Sequence, residues 1–215
     1  MAKANGAGAR QPAPQPVLDS AAARAESRGD SLMRSALAIL GETGRTDFTV
    51  LEVVERSKTS LRSFYQQFAT KDELLLALID KIMSESTERW RAETASLTAT
   101  AALHRLIDRI SAPAASSTQQ GINRGLTFYN DHLEESKPRE FARVLEPLYD
   151  LVCEILRRGI AEGSLRSDID VTTSAAIVMQ TALAAMRLRS LGEELSGVAI
   201  GSDAIYDFCI RALTS

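Results

Sequence analysis

Between Arg56 and Lys71 the chain reads RSKTSLRSFYQQFATK, with four cations, six hydroxyl-bearing side chains, two amides and no carboxylate. Residues of these types, so arranged, can bind an anion. A guanidinium pairs bidentately with guanine, a glutamine amide with adenine and a hydroxyl with either base, in a groove wide enough to admit a helix. A carboxylate on the same face would repel phosphate, so the absence of acid until Asp72 has a physical reason.

The flanking residues say how such groups would be held. Thr49 and Glu52 have the spacing of a capping box, which predicts a short helix carrying Val50, Val53 and Val54 inward. Ser60 is a good N-cap for a second short helix. At about 100° per residue, Leu61, Phe64, Tyr65 and Phe68 fall on one side, with Tyr65 at its edge, while Arg62, Ser63, Gln66 and Gln67 take the opposite arc. Two short helices joined by a turn of about four residues fit a helix-turn-helix with the second helix as reader. A second capping box, Thr70 to Glu73, opens a long fourth helix, where the Lys71 ammonium adds to a helix N-terminus that already favours phosphate.

In these residues the chain resembles the N-terminal DNA-binding domain of TetR-family transcriptional regulators. The resemblance runs through Val53 and Val54, Leu61 to Tyr65, Phe68, Lys71 and Leu74, about a quarter of the chain. It implies that Tyr65 and Lys71 hold backbone phosphates, that Arg62, Ser63 and Gln67 face bases, and that Thr49 caps its helix beside a phosphate. Ser60 and Gln66 extend that contact set. The sequence departs from the family pattern at Lys58 and Thr59, where Gly and Val are usual, and at Val54, where Ala is usual. The turn is therefore open to a different shape, and Lys58 to a phosphate contact.

The rest of the chain bounds what surrounds this segment. A chain of 215 residues, 45% hydrophobic, is long enough to bury a sizeable core. Its net charge of −3 and pI near 5.5 exclude a generally basic coat, so anion binding must be local. Cys153 and Cys209 lie in apolar helical pattern without ligand spacing and read as buried free thiols. The Ala-, Gly-, Pro- and Gln-rich first 20 residues lack a signal-peptide core and read as a disordered arm. No charge-free run of about 20 apolar residues follows, so no membrane partner and a cytoplasmic location are expected.

No HExxH, ExxH pair, nucleophile elbow or glycine-rich phosphate loop is present, and His104 with Asp108 at i, i+4 lacks a third ligand. The expectation is therefore not an enzyme, with no cofactor and no metal.

From Ala21 onward the chain reads as helix after helix: Met33, Ala36, Leu37 and Leu40 mark the first, which Gly41 or Gly44 ends, and later ones fall at about 98–111, 121–135, 138–162, 171–191 and 202–213. The fold class is all-α, with a three-helix helix-turn-helix domain at 21–75 and a larger helical ligand-binding and dimerisation domain at 76–215. Trp90, Leu103, Leu106, Phe128, Tyr129, His132 and Leu148 could line a cavity for a small apolar or amphipathic effector, or could equally be plain core. The family resemblance implies that the helices at 138–162 and 171–191 pair across a two-fold axis, which points to Leu151, Ile155, Met179, Leu183 and Met186. It also implies a homodimeric repressor on double-stranded DNA with a palindromic operator, released by its effector. A reading from another class is an all-α small-molecule-binding or adaptor protein that no longer binds DNA.

Overall fold

The computed structural model describes residues 16–190 and 200–214, and these contain nine α-helices and no strand. They are α1 (Pro16–Thr43), α2 (Val50–Arg56), α3 (Leu61–Tyr65), α4 (Lys71–Thr94), α5 (Ala99–Ser111), α6 (Ser117–Ser136), α7 (Pro138–Ala161), α8 (Val171–Ser190) and α9 (Ser202–Leu213). Helix α1 begins at Pro16, so the last five residues of the expected arm are helical, and residues 1–15 lie outside the described part. It ends at Gly44, whose φ of 64° and N–H bond to the Leu40 carbonyl (2.8 Å) make a left-handed stop. Helix α6 starts four residues earlier than its apolar pattern suggests, because Ser116 accepts from the Gln119 N–H and supplies the cap.

Two apolar cores organise the helices. The first gathers Leu32, Ala36 and Leu40 of α1, Val53 and Val54 of α2, Phe64 of α3 and Leu74, Leu75, Leu78 and Ile79 of α4. It does not stop at residue 75, since Tyr129 and Leu133 of α6 and Phe141 and Val144 of α7 complete it. The second joins α5, α7, α8 and α9 through Leu103, Leu106, Leu148, Leu156, Val178 and Ile205. Met83 and Leu145 pack against both, so α4 and α7 tie the two cores into one body. Cys153 and Cys209 are buried free thiols, and burial pushes the Cys209 thiol up from its ordinary pKa.

Glycines bring α1 and α6 into near backbone contact. A Cβ on Gly121 would stand 2.5 Å from the Gly41 carbonyl oxygen, and one on Gly125 would stand 2.8 Å from Leu40 Cδ2. The helix that leads into the helix-turn-helix is thereby seated directly on α6. Residues 171–188 of α8 are, among the described residues, one window long and apolar enough to cross a membrane, at a mean hydropathy of 1.2. That window also carries Thr172, Thr173, Gln180 and Arg187 and packs its Ala175, Val178, Met179 and Ala182 into the second core.

Candidate nucleic-acid interface

Local sequence builds the helix-turn-helix as expected. The Thr49 hydroxyl accepts from the Glu52 N–H (3.2 Å), and the Glu52 carboxylate accepts from the Thr49 N–H (2.6 Å) and hydroxyl (2.8 Å). Those bonds, the backbone one first, hold the Glu52 carboxyl below its ordinary pKa. The Ser60 hydroxyl accepts from the Ser63 N–H (3.1 Å) and donates to the Ser63 hydroxyl (3.1 Å). At the head of α4, Thr70 accepts from the Glu73 N–H, but the Glu73 carboxylate reaches one residue further back, to the Ala69 N–H (2.8 Å). Only the threonine half of that second capping box forms.

The turn between α2 and α3 keeps the geometry for which a glycine is usual. Lys58 has φ 54°, donates its N–H to the Glu55 carbonyl (3.2 Å), and is followed by Thr59 donating to the Val54 carbonyl (3.0 Å). This pair of bonds is a Schellman ending with lysine in the left-handed position. A non-glycine residue there carries a cost of about 1 kcal/mol. The return is a cation held exposed at the turn.

Phe64 of α3 is fully buried and Phe68, just past the helix, is partly buried, with ring centroids 5.9 Å apart. Arg62, Tyr65 and Gln66 are exposed and Ser63 is half-buried, which puts these four on or near the surface. Tyr65 meets Phe64 edge to face at 5.3 Å, so its ring is braced while its hydroxyl end is free to reach out.

Three expectations change. Leu61 does not share the burial of Phe64 and Phe68: it is 45% exposed, and the periodic argument fails because α3 has only five residues and Leu61 is its first. Gln67 lies beyond the helix and turns back toward α1, where its Oε1 is 3.5 Å from the place a Gly29 Cβ would take. Lys71 is half-buried, and its ammonium donates to the carbonyls of Thr46 (2.8 Å) and Phe48 (3.1 Å) while lying 5.4 Å from the centre of the Phe48 ring. Its foremost task is to hold the link between α1 and α2, and one N–H remains for an outside anion. Arg56 is likewise engaged, in a two-pronged ion pair with Glu42 that lowers the Glu42 pKa and raises its own.

The residues proposed for a pocket do not converge. Leu103, Leu106 and Leu148 are fully buried in the second core and Trp90 packs beside them. Tyr129 belongs to the first core and donates its hydroxyl to the Asp72 carbonyl (3.2 Å); burial there raises its pKa. Phe128 is half exposed with Arg124 against its ring, and His132 is exposed at the surface, 3.8 Å from Asp72. Of the residues proposed for a dimer face, Leu151, Ile155 and Met179 are buried within the protomer, and Leu183 and Met186 are half-buried. Among the described residues, the exposed large apolar side chains at this end are instead Ile177 of α8, Ile200 just before α9 and Phe208 of α9. Sequence periodicity marks an apolar face without saying whether the same chain covers it, and α7 spends its face internally.

Residues 32–78 match the family described as bacterial regulatory proteins, tetR family. No curated protein matches the chain. Its fold is similar to that of the transcriptional regulator FadR from Bacillus subtilis in complex with stearoyl-CoA, at 17% identity and a TM-score of 0.66 over 86% of this chain and 97% of that one. It is similar also to RolR in complex with resorcinol, at 14% identity and a TM-score of 0.66 over 89% and 90%. A TetR-family regulator from Agrobacterium tumefaciens aligns at 20% identity and a TM-score of 0.59 over 89% and 100%.

Proposed function

We propose that this chain, a TetR-family transcriptional regulator by the match of its N-terminal domain, is a homodimeric repressor that binds a palindromic operator and releases it when a small effector binds. The observation that carries the DNA half is α3: a short helix anchored by Phe64, presenting Arg62, Ser63, Tyr65 and Gln66, in a segment without acid from Arg56 to Lys71. Lys58 stands free beside it for a phosphate. As in other helix-turn-helix proteins, the exposed N-terminal residues of the second helix would meet base edges.

Dimerisation through α8 and α9 is supported by their exposed Ile177 and Phe208, apolar groups that the protomer leaves uncovered. Two reading helices related by a two-fold axis match an inverted repeat. An apolar or amphipathic effector is supported by the stearoyl-CoA and resorcinol bound to the two structural relatives. Within this chain, the hydroxyl of Thr87 is fully buried without a hydrogen-bond partner among the described residues, one turn beyond the Met83 that touches both cores. An effector entering there would give that hydroxyl a partner and bear on both cores at once. A role on DNA would put the protein in the cytoplasm.

Footprinting the protein across fragmented genomic DNA names the operator. On that operator Arg62→Ala should cost about 1–3 kcal/mol and relax the preference at one base pair of each half-site. Unchanged affinity and unchanged preference in that variant remove α3 as the reader.

A further inference from the structure

From Ser27 to Ile79, three large apolar side chains are exposed, Leu51, Leu61 and Tyr65, and all three fall within the helix-turn-helix. Leu61 is the first residue of α3, directly after the Ser60 cap, and it belongs to neither core. Tyr65 lies one turn on, at i, i+4, so the two form a short apolar strip beside Arg62. Lone exposed leucines are ordinary on a protein surface. This one occupies the end of the reading helix that approaches base edges most closely.

The edges of base pairs in the major groove offer hydrogen-bonding groups at every position, and one apolar group, the thymine 5-methyl. A leucine facing any other base edge strips water from donors and acceptors that it cannot satisfy. We propose that Leu61 reads the 5-methyl group of one thymine in each half-site, and so sets the base there beside the one chosen by Arg62. This rests on the DNA-binding reading of α3 above.

The probe is a duplex that the wild-type protein selects from a random pool, resynthesised with deoxyuridine in place of each thymine in turn. Deoxyuridine pairs as thymine does and lacks only the methyl group. At one thymine per half-site, wild-type affinity should fall about fourfold per half-site, which is the ~0.8 kcal/mol of a buried methyl-sized group at about 1.4 kcal/mol per tenfold. Leu61→Ala should bind the thymine and deoxyuridine duplexes alike, and Leu61→Gln should move the preference at that pair toward adenine. Because Leu61 is exposed, both variants should melt with the wild type. Wild-type binding that is indifferent to every substitution overturns the proposal, and so does a methyl dependence that Leu61→Ala retains. Selection that recovers no duplex overturns the DNA-binding reading itself, and this proposal with it.

Discussion

Replacing Gly121 by alanine tests how the reading domain is seated. The added Cβ would stand 2.5 Å from the Gly41 carbonyl oxygen and 3.0 Å from the Leu40 carbonyl oxygen. Both are backbone atoms of α1, so no side chain can turn aside, and the helices must part by about 1 Å to restore ordinary contact. Overpacking of this kind costs about 1–3 kcal/mol, while alanine in place of glycine within a helix returns about 1 kcal/mol. Because both neighbours are backbone, the upper part of that range, about 2–3 kcal/mol, applies, and the net expectation is a loss of about 1–2 kcal/mol, or a fall in Tm of about 2–8 °C for a chain of this length. Gly29→Ala is the matched control: it lies inside α1, and its Cβ would meet only the flexible Gln67 side chain, at 3.5 Å. There the helix gain stands alone, and Tm should rise. Thermal and urea unfolding of both variants measure the difference in sign. If Gly121→Ala is as stable as the wild type, or gains as much as Gly29→Ala, the close crossing of α1 and α6 is not what seats the domain.

Lys58→Gly should act in opposite directions on folding and binding. Removing a left-handed lysine raises stability by up to about 1 kcal/mol, while losing one phosphate contact shallows the slope of log affinity against log salt by about 0.9 per site; a loss of stability, or an unchanged salt slope, contradicts the turn assignment. Phe208→Asp, on the exposed face of α9, should convert the proposed dimer to monomer in sedimentation, and an unaltered mass would place the interface elsewhere. Asp170 accepts from the N–H and hydroxyl groups of Thr172 and Thr173, with the hydroxyl bonds foremost in holding its carboxyl down from 3.8 to about 2. Because the folded value lies below the unfolded one, its stabilisation is complete above about pH 4 and is lost as pH falls through about 2. Asp170→Asn should therefore flatten acid unfolding in that window, and an unchanged acid limb would mean that the head of α8 does not depend on this cap.

What the sequence determined by itself is what is local. Thr49 with Glu52, Ser60 with Ser63, and Thr70 with Glu73 set the starts of α2, α3 and α4, because a cap is a bond between residues three apart. The same short range makes Arg62, Ser63 and Gln66 legible as an acid-free polar face and Phe64 as its anchor.

Tertiary structure decided the allegiance of each group that has two plausible partners. Lys71 suits a phosphate and equally suits the carbonyls of Thr46 and Phe48, and only the fold brings those carbonyls within reach. Gln67 turns toward α1, Leu61 is left outside, and Leu151 and Ile155 are covered by their own chain and not by a second copy. Gly121 and Gly125 interrupt the helical pattern of α6 on paper, and their purpose is visible only against Leu40 and Gly41. Periodicity fixes the direction in which a side chain leaves its helix. What waits in that direction is set by contacts dozens of residues away in sequence.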